Sequence, residues 1–214
     1  MTVLYLMCGI PGSGKSTWIK QNKIESDVVI SRDIVRFSLV KEFEEYFSKE
    51  TEVFYTFVDQ INEAIDKGVP AIFVDATHIN ENSRNKVLDL LHLSDEVKIT
   101  PVFIKEDLAT CLSRNDLREG RANVPSKVIA QMHKNLRAPT FNEKHRYASI
   151  IIVERGSSTR TWNSGENPPW KDPEFHCKDY SSNEYPKKSY KINLKEMESL
   201  YGKHLFYFGP TSGT

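Results

Sequence analysis

The chain has 214 residues, 39% hydrophobic and 27% charged. That is long enough to bury a core without disulfide or metal staples, and the composition excludes wholesale disorder and fibrous repeats. Its 29 basic and 29 acidic side chains cancel, no run reaches the ~18 apolar residues of a membrane span, and the short apolar start has no basic residue before it, unlike a secretory signal. A cytoplasmic protein with no membrane partner is therefore expected. Cys8, Cys111 and Cys177 are odd in number and far apart, which suits a reducing compartment and matches no zinc spacing. The zero net charge hides an asymmetry. Residues 41–66 carry eight acids against two lysines, and residues 111–146 carry eight bases against three acids. The acidic stretch reads as a solvated helix face, whereas the basic one falls among motifs described below.

In chain order, an apolar run at 3–8 predicts a strand that ends in a Gly-rich turn, followed by a helix over 17–22. A second strand is predicted at 28–30. Val53, Phe54, Phe57, Val58, Ile61, Ala64 and Ile65 recur at helical spacing, and Gly68 and Pro70 stop that helix. A third strand is predicted at 71–74, and Val87, Leu88, Leu90 and Leu91 mark another helix. The fourth strand, 97–104, contains Pro101 and is expected to be bulged or near an edge. Pro125 can open a helix with Val128, Ile129, Met132 and Leu136 on one face, and 148–153 is a fifth strand. Continuous apolar strands alternating with helices predict a parallel sheet covered on both faces. Ligands of such sheets bind beyond the carboxyl ends of the strands. From 155 to 214 the texture changes: ten of the 23 aromatics and five of the ten prolines lie there, without periodicity except for a short helix over 194–201. The expected domain therefore spans 1–154, with 155–214 as an irregular, aromatic-rich extension packed on the core.

Four motifs follow the strands. Gly9-Ile10-Pro11-Gly12-Ser13-Gly14-Lys15-Ser16-Thr17 matches GxxxxGK[ST]. Gly9, Gly12 and Gly14 let the backbone wrap a phosphate with Ser13, Lys15 places its charge on the β- and γ-phosphates, and Ser16 can ligate Mg²⁺ beside Thr17 at a helix N-terminus. ATP with Mg²⁺ is the expected ligand. After strand two come Arg32, Asp33 and Arg36. Asp33 would orient an acceptor hydroxyl and take its proton, while the two guanidiniums would hold an anionic acceptor. The competing role for Asp33 is a helix cap. After strand three, Asp75 would reach the Mg²⁺ shell or order the site with Thr77, and Asn80 or Ser83 would cap the next helix. His78 reads as a helix-entry residue before it reads as a catalyst. Finally, Arg114 and Arg118 lie four apart, on one expected helix face, before the Gly-containing segment 120–125. That describes a lid over 114–125 whose arginines meet charge on the transferred group.

GIPGSGKST, SRDIVR, VDATHIN and SRNDLREGRANVP, in this order, resemble the 5′-hydroxyl polynucleotide kinases of end-repair enzymes over residues 3–153. The resemblance implies a P-loop kinase fold, an α/β sheet of five parallel strands in the order 2-3-1-4-5. It also implies transfer of the ATP γ-phosphate to a 5′-OH nucleic acid end, with a ligase as partner. Lys15 and Ser16 then bind phosphate and Mg²⁺, Asp33 is the general base, Arg36 holds the acceptor phosphate, Asp75 supports the site, and Arg114 and Arg118 are the lid arginines. The chain lacks the DxDGT motif of the 3′-phosphatase domain that many such enzymes carry. A P-T-x-x-E element at Pro139, Thr140 and Glu143 is shared with seryl-tRNA kinases and small-molecule kinases. Kinases of a small alcohol or nucleoside, and a nucleotide-gated binding protein, are the rival readings.

Overall fold

A computed structural model describes residues 1–41, 44–154 and 159–164. Its elements run β1 (Thr2–Cys8), α1 (Lys15–Asn22), β2 (Val28–Ser31), α2 (Arg32–Leu39), α3 (Glu50–Asp66), β3 (Ala71–Asp75), α4 (Glu81–Leu88), β4 (Val97–Lys105), α5 (Leu108–Asp116), a 3₁₀ turn (Gly120–Ala122), α6 (Ser126–Lys134), β5 (Ser149–Glu154) and β6 (Thr159–Asn163). The sheet order is β2-β3-β1-β4-β5-β6. The first five strands are parallel, in the expected order, and β6 joins β5 antiparallel.

Alternation along the strands shows why both faces are covered. Tyr5, Met7, Phe73, Val102 and Ile104 pack with Trp18 and Ile19 of α1 on one face. The intervening Leu4, Leu6, Ile72, Val74, Phe103, Ile150 and Ile152 are buried as well. Strands buried on both sides are what crossover helices produce in a parallel sheet. Tyr5 stacks on Phe73 at 4.9 Å between ring centroids, and Trp18 meets both at 6.2 Å, so α1 is pinned beneath the first strand's exit.

Three expectations change. β4 lies inside the sheet between β1 and β5, not near an edge. Its pairing with β1 runs through Pro101, and its pairing with β5 begins only at Val102. The missing proline N–H therefore falls where just one ladder is in place. Next, the sheet runs past the expected boundary at 154, because Trp162 of β6 is buried opposite Ile150. The short helix over 194–201, the His176-Cys177 pair and the rest of the extension lie outside the described residues. Finally, Arg118 lies beyond α5, whose C-cap is Leu117.

A buried ion pair ties the last crossover to α4. Arg84 of α4 donates to Glu143 through Nε at 2.8 Å and Nη2 at 2.5 Å, and their side chains are 1% and 4% exposed. Tyr147 donates to Glu143 Oε2 at 2.6 Å, and the Thr140 N–H donates to Oε1 at 2.9 Å. Arg84 Nη1 reaches the carbonyls of His78 and Arg137. The glutamate of the P-T-x-x-E element is thus a structural clasp. Removing one partner of a buried pair leaves an uncompensated charge, so Glu143→Ala should lose about 3–5 kcal/mol of stability. Urea denaturation checks this; a loss below about 1 kcal/mol would mean that water replaces the carboxylate.

Candidate functional site

The first turn of the phosphate loop forms because β1 ends at Cys8 and the Gly9 N–H donates to the Thr77 carbonyl at 2.8 Å. Thr77, expected to touch substrate, thus contributes a backbone latch between the loop and the exit of β3. Gly12 has φ +82, and a Cβ there would overlap the Cys111 carbonyl of α5. Only glycine allows the loop and α5 to meet backbone to backbone. Gly14, at φ 108, is the N-cap of α1. Ser13 Oγ is a buried polar atom of the loop without a hydrogen-bond partner among the described residues. Lys15 Nζ donates to the Gly9 and Ile10 carbonyls at 2.9 and 3.0 Å, spanning the loop it belongs to. Burial pulls the Lys15 ammonium below its ordinary range, and the Asp75 carboxylate partly restores it.

Asp75 closes β3 and is in register with Ser31 of β2. Burial raises its carboxyl, against the pull of Lys15 and of a hydrogen bond from Ser16. The structure therefore brings together the two residues expected to hold Mg²⁺. No cluster of three or more His, Cys, Asp or Glu with metal-binding geometry occurs among the described residues. One hydroxyl and one carboxylate suit Mg²⁺, which keeps its waters and takes its other ligands from substrate phosphates.

Asp33 lies in the first turn of α2, whose N-cap is Ser31. Its carboxylate does not cap the helix; it accepts from Arg36 Nη1 at 2.7 Å and from Tyr46 Oη at 3.4 Å. The side chain is 67% exposed, and its charge is felt at both Lys15 and Asp75. Arg36, by contrast, is buried, with Nη2 on Glu50 Oε2 at 2.8 Å. Arg32 Nη2 bonds the other oxygen of the same carboxylate. Glu50, the first residue of α3, thus bridges the two guanidiniums expected to meet an anionic acceptor. The sequence reading placed Glu50 on a solvated acidic face, because nothing local marks it as the partner of residues 14 and 18 positions earlier.

The lid arginines divide. Arg114 Nη1 donates to the Gly12 carbonyl at 3.2 Å, and Nη2 pairs with Glu106 at 3.0 Å, so this residue is bound to the phosphate loop. Arg118 is exposed, yet its charge acts on Lys15 and Asp75. The segment that follows α5 is tied back to it by Asn115, which is buried. Its side chain donates to Asn123 Oδ1 at 3.1 Å and to the Val124 carbonyl at 2.8 Å, and accepts from the Val124 N–H at 3.0 Å. Asn115 was missed from sequence; its only signal was a polar residue at a core position of α5. His78 is buried at φ 37, its Nδ1 2.8 Å from the Met7 carbonyl, and burial pushes its imidazole down to about 3. The imidazole is therefore the neutral form near neutral pH.

A family model described as AAA domain matches residues 4–139, well over half the chain, and the chain belongs to that family. Similar solved structures include a chain of the Pnkp1/Rnl/Hen1 RNA repair complex, 20% identical, covering 63% of this chain and 44% of that one at a TM-score of 0.51. This protein thus matches less than half the length of that chain. Others are a chain of the PezAT toxin–antitoxin system of Streptococcus pneumoniae, 17% identical over 78% and 72% with a TM-score of 0.52, and Chaetomium thermophilum Kti12 with ADP-AlF3, 12% identical over 72% and 90% at 0.52. At these identities the likeness is one of fold. No curated protein matches the chain. The fold is that of a P-loop kinase-like domain, and such a fold implies nucleotide binding.

Gly12→Ala should abolish measurable ATP binding in an equilibrium titration and destabilise the chain by about 1–3 kcal/mol, because the loop must part from α5. The control is Gly68→Ala. That residue shares a positive φ but has no atom of the described residues within 4 Å of the added Cβ, so ATP binding should persist.

Proposed function

We propose that the chain transfers the γ-phosphate of ATP to the 5′-hydroxyl of a nucleic acid end. The observation that carries this reading is Asp33. It is a largely exposed carboxylate at the sheet's carboxyl edge, within electrostatic reach of Lys15 and Asp75 and held by Arg36 and Tyr46. A protein that only switches with its nucleotide needs no acceptor base there. Ser16 and Asp75 would hold Mg²⁺, which supplies positive charge to the phosphate oxygens when bound. Lys15 holds the β- and γ-phosphates. Asp33 accepts the hydroxyl proton as the new O–P bond forms and the bond to the ADP oxygen breaks. Arg114 and Arg118 stabilise the charge spread over the transferred group. Arg32 would meet the acceptor's phosphate, Arg36 holds Asp33 from the protein side, and the product, a 5′-phosphorylated end, is what end-joining chemistry consumes. A ligase is the partner class that follows.

A second reading, a kinase of a small alcohol or nucleoside, is favoured by Glu50. It neutralises much of the charge that a polyanionic acceptor would use. Two predictions separate the readings. Asp33→Asn keeps the size and the bond to Arg36 but cannot take the proton, so turnover should fall about 10²–10⁴-fold with ATP affinity spared. Normal turnover would remove Asp33 from the chemistry.

The other uses radiolabelled ATP with a 5′-OH oligonucleotide, a nucleoside and a sugar. Each single-strand phosphate neutralised should add about 0.7 to the slope of log KM for acceptor against log salt, so two contacts give about 1.4. A nucleoside or sugar phosphorylated as well as the oligonucleotide, with no salt slope, would establish the second reading.

A further inference from the structure

We propose that Phe37, Tyr46 and Phe47 form a seat on which the nucleobase at the acceptor's 5′ end stacks. The proposal rests on the nucleic acid reading of the acceptor and names the surface that would select such an end over a small alcohol. Tyr46 lies at the centre of the three rings. Its centroid is 4.8 Å from Phe47 at an interplanar angle of 89°, and 6.3 Å from Phe37 at 64°. Phe47 is 63% exposed and Phe37 43%. The Tyr46 hydroxyl donates to Asp33, so the rings abut the proposed base.

Two guanidiniums cap the cluster. Arg36 lies 4.8 Å from the Tyr46 centroid and 5.6 Å from Phe47. Arg121, carried by the 3₁₀ turn after α5, lies 5.5 Å from both Phe37 and Tyr46. Arg121 Nη1 is anchored on the Val40 carbonyl at 2.9 Å. Its Nη2, and Arg36 Nε, are buried donors without hydrogen-bond partners among the described residues, and the Arg36 side chain is only 6% exposed.

Rings with interleaved arginines and unspent donors are chemically matched to a base and its attached phosphate: every base has a π-face, and the fork reads the anion. An apolar protein segment would have to cover the two cations instead. The blander role, shielding Arg36, accounts for Tyr46. It does not account for Phe47, the outermost ring, which remains mostly in water.

The test pairs Phe47→Ala, Phe47→Leu and Phe47→Trp with two single-stranded oligonucleotides: one with an ordinary 5′-OH nucleotide and one whose 5′ nucleotide is abasic. Stacking of one base should make the wild-type kcat/KM about tenfold higher on the ordinary substrate than on the abasic one. Phe47→Ala and Phe47→Leu should lose about that factor on the ordinary substrate and little more on the abasic one. Phe47→Trp should restore the preference, and an ordinary oligonucleotide should quench its fluorescence more than the abasic one does. If wild type and Phe47→Ala discriminate equally between the two substrates, the seat does not exist, although the kinase reading stands. If the wild type phosphorylates neither oligonucleotide but does phosphorylate a small alcohol, the acceptor reading fails, and the seat with it.

Discussion

The backbone contact between Gly12 and Cys111 sets the geometry of everything around the nucleotide site. A phosphate loop needs its N–H groups turned inward, and that leaves its carbonyls facing outward and in want of donors. Here the outward side is met by α5, and Arg114 satisfies the Gly12 carbonyl from that helix. One close approach thus serves two ends: it braces the loop and brings Arg114 onto it. The same helix buries Asn115, which ties the segment carrying Arg118 and Arg121. Loop, arginines and the rings near Asp33 are therefore linked mechanically through α5.

Charge is balanced locally in the same region. Lys15 and Asp75, both part-buried, act on each other electrostatically, each shifted by desolvation and partly restored by the other. Further out, Arg32, Arg36, Glu50 and Asp33 form a chain of alternating sign. Arg36 is the buried member, and a buried guanidinium is tolerated only when its partners are in place. Glu50 and Asp33 supply those partners, and Tyr46 and Phe47 supply the ring faces. Asp33 keeps its own exposure because Arg36 approaches it from the protein side. A carboxylate oriented from behind and open in front suits proton acceptance from a substrate.

Periodicity and motif spacing were enough to place five parallel strands, the phosphate loop and the polar residues at the strand exits. These signals are local. An apolar run between Gly-rich turns reads as a buried strand, and GxxxxGK[ST] reads as an anion cradle wherever a helix follows. That Asn80 or Ser83 caps α4 was legible for the same reason, and the structure makes Asn80 the N-cap with Ser83 as its reciprocal partner. Pro101 is tolerated inside the sheet because only the β1 ladder is in place at that position, which the local sequence does not show.

The rest was settled between residues distant in sequence. Glu50 meets Arg32 and Arg36 only because α3 returns beside α2, and Glu143 meets Arg84 across 59 positions. Arg118 is off the helix because α5 ends at Asp116, a boundary that spacing alone does not mark. The residues' identities determined the parallel α/β sheet and the phosphate-loop sequence at its first strand exit. Tertiary structure decided which charges are already paired and which rings stay exposed, because pairing and burial depend on what the chain folds against and not on what adjoins it in sequence.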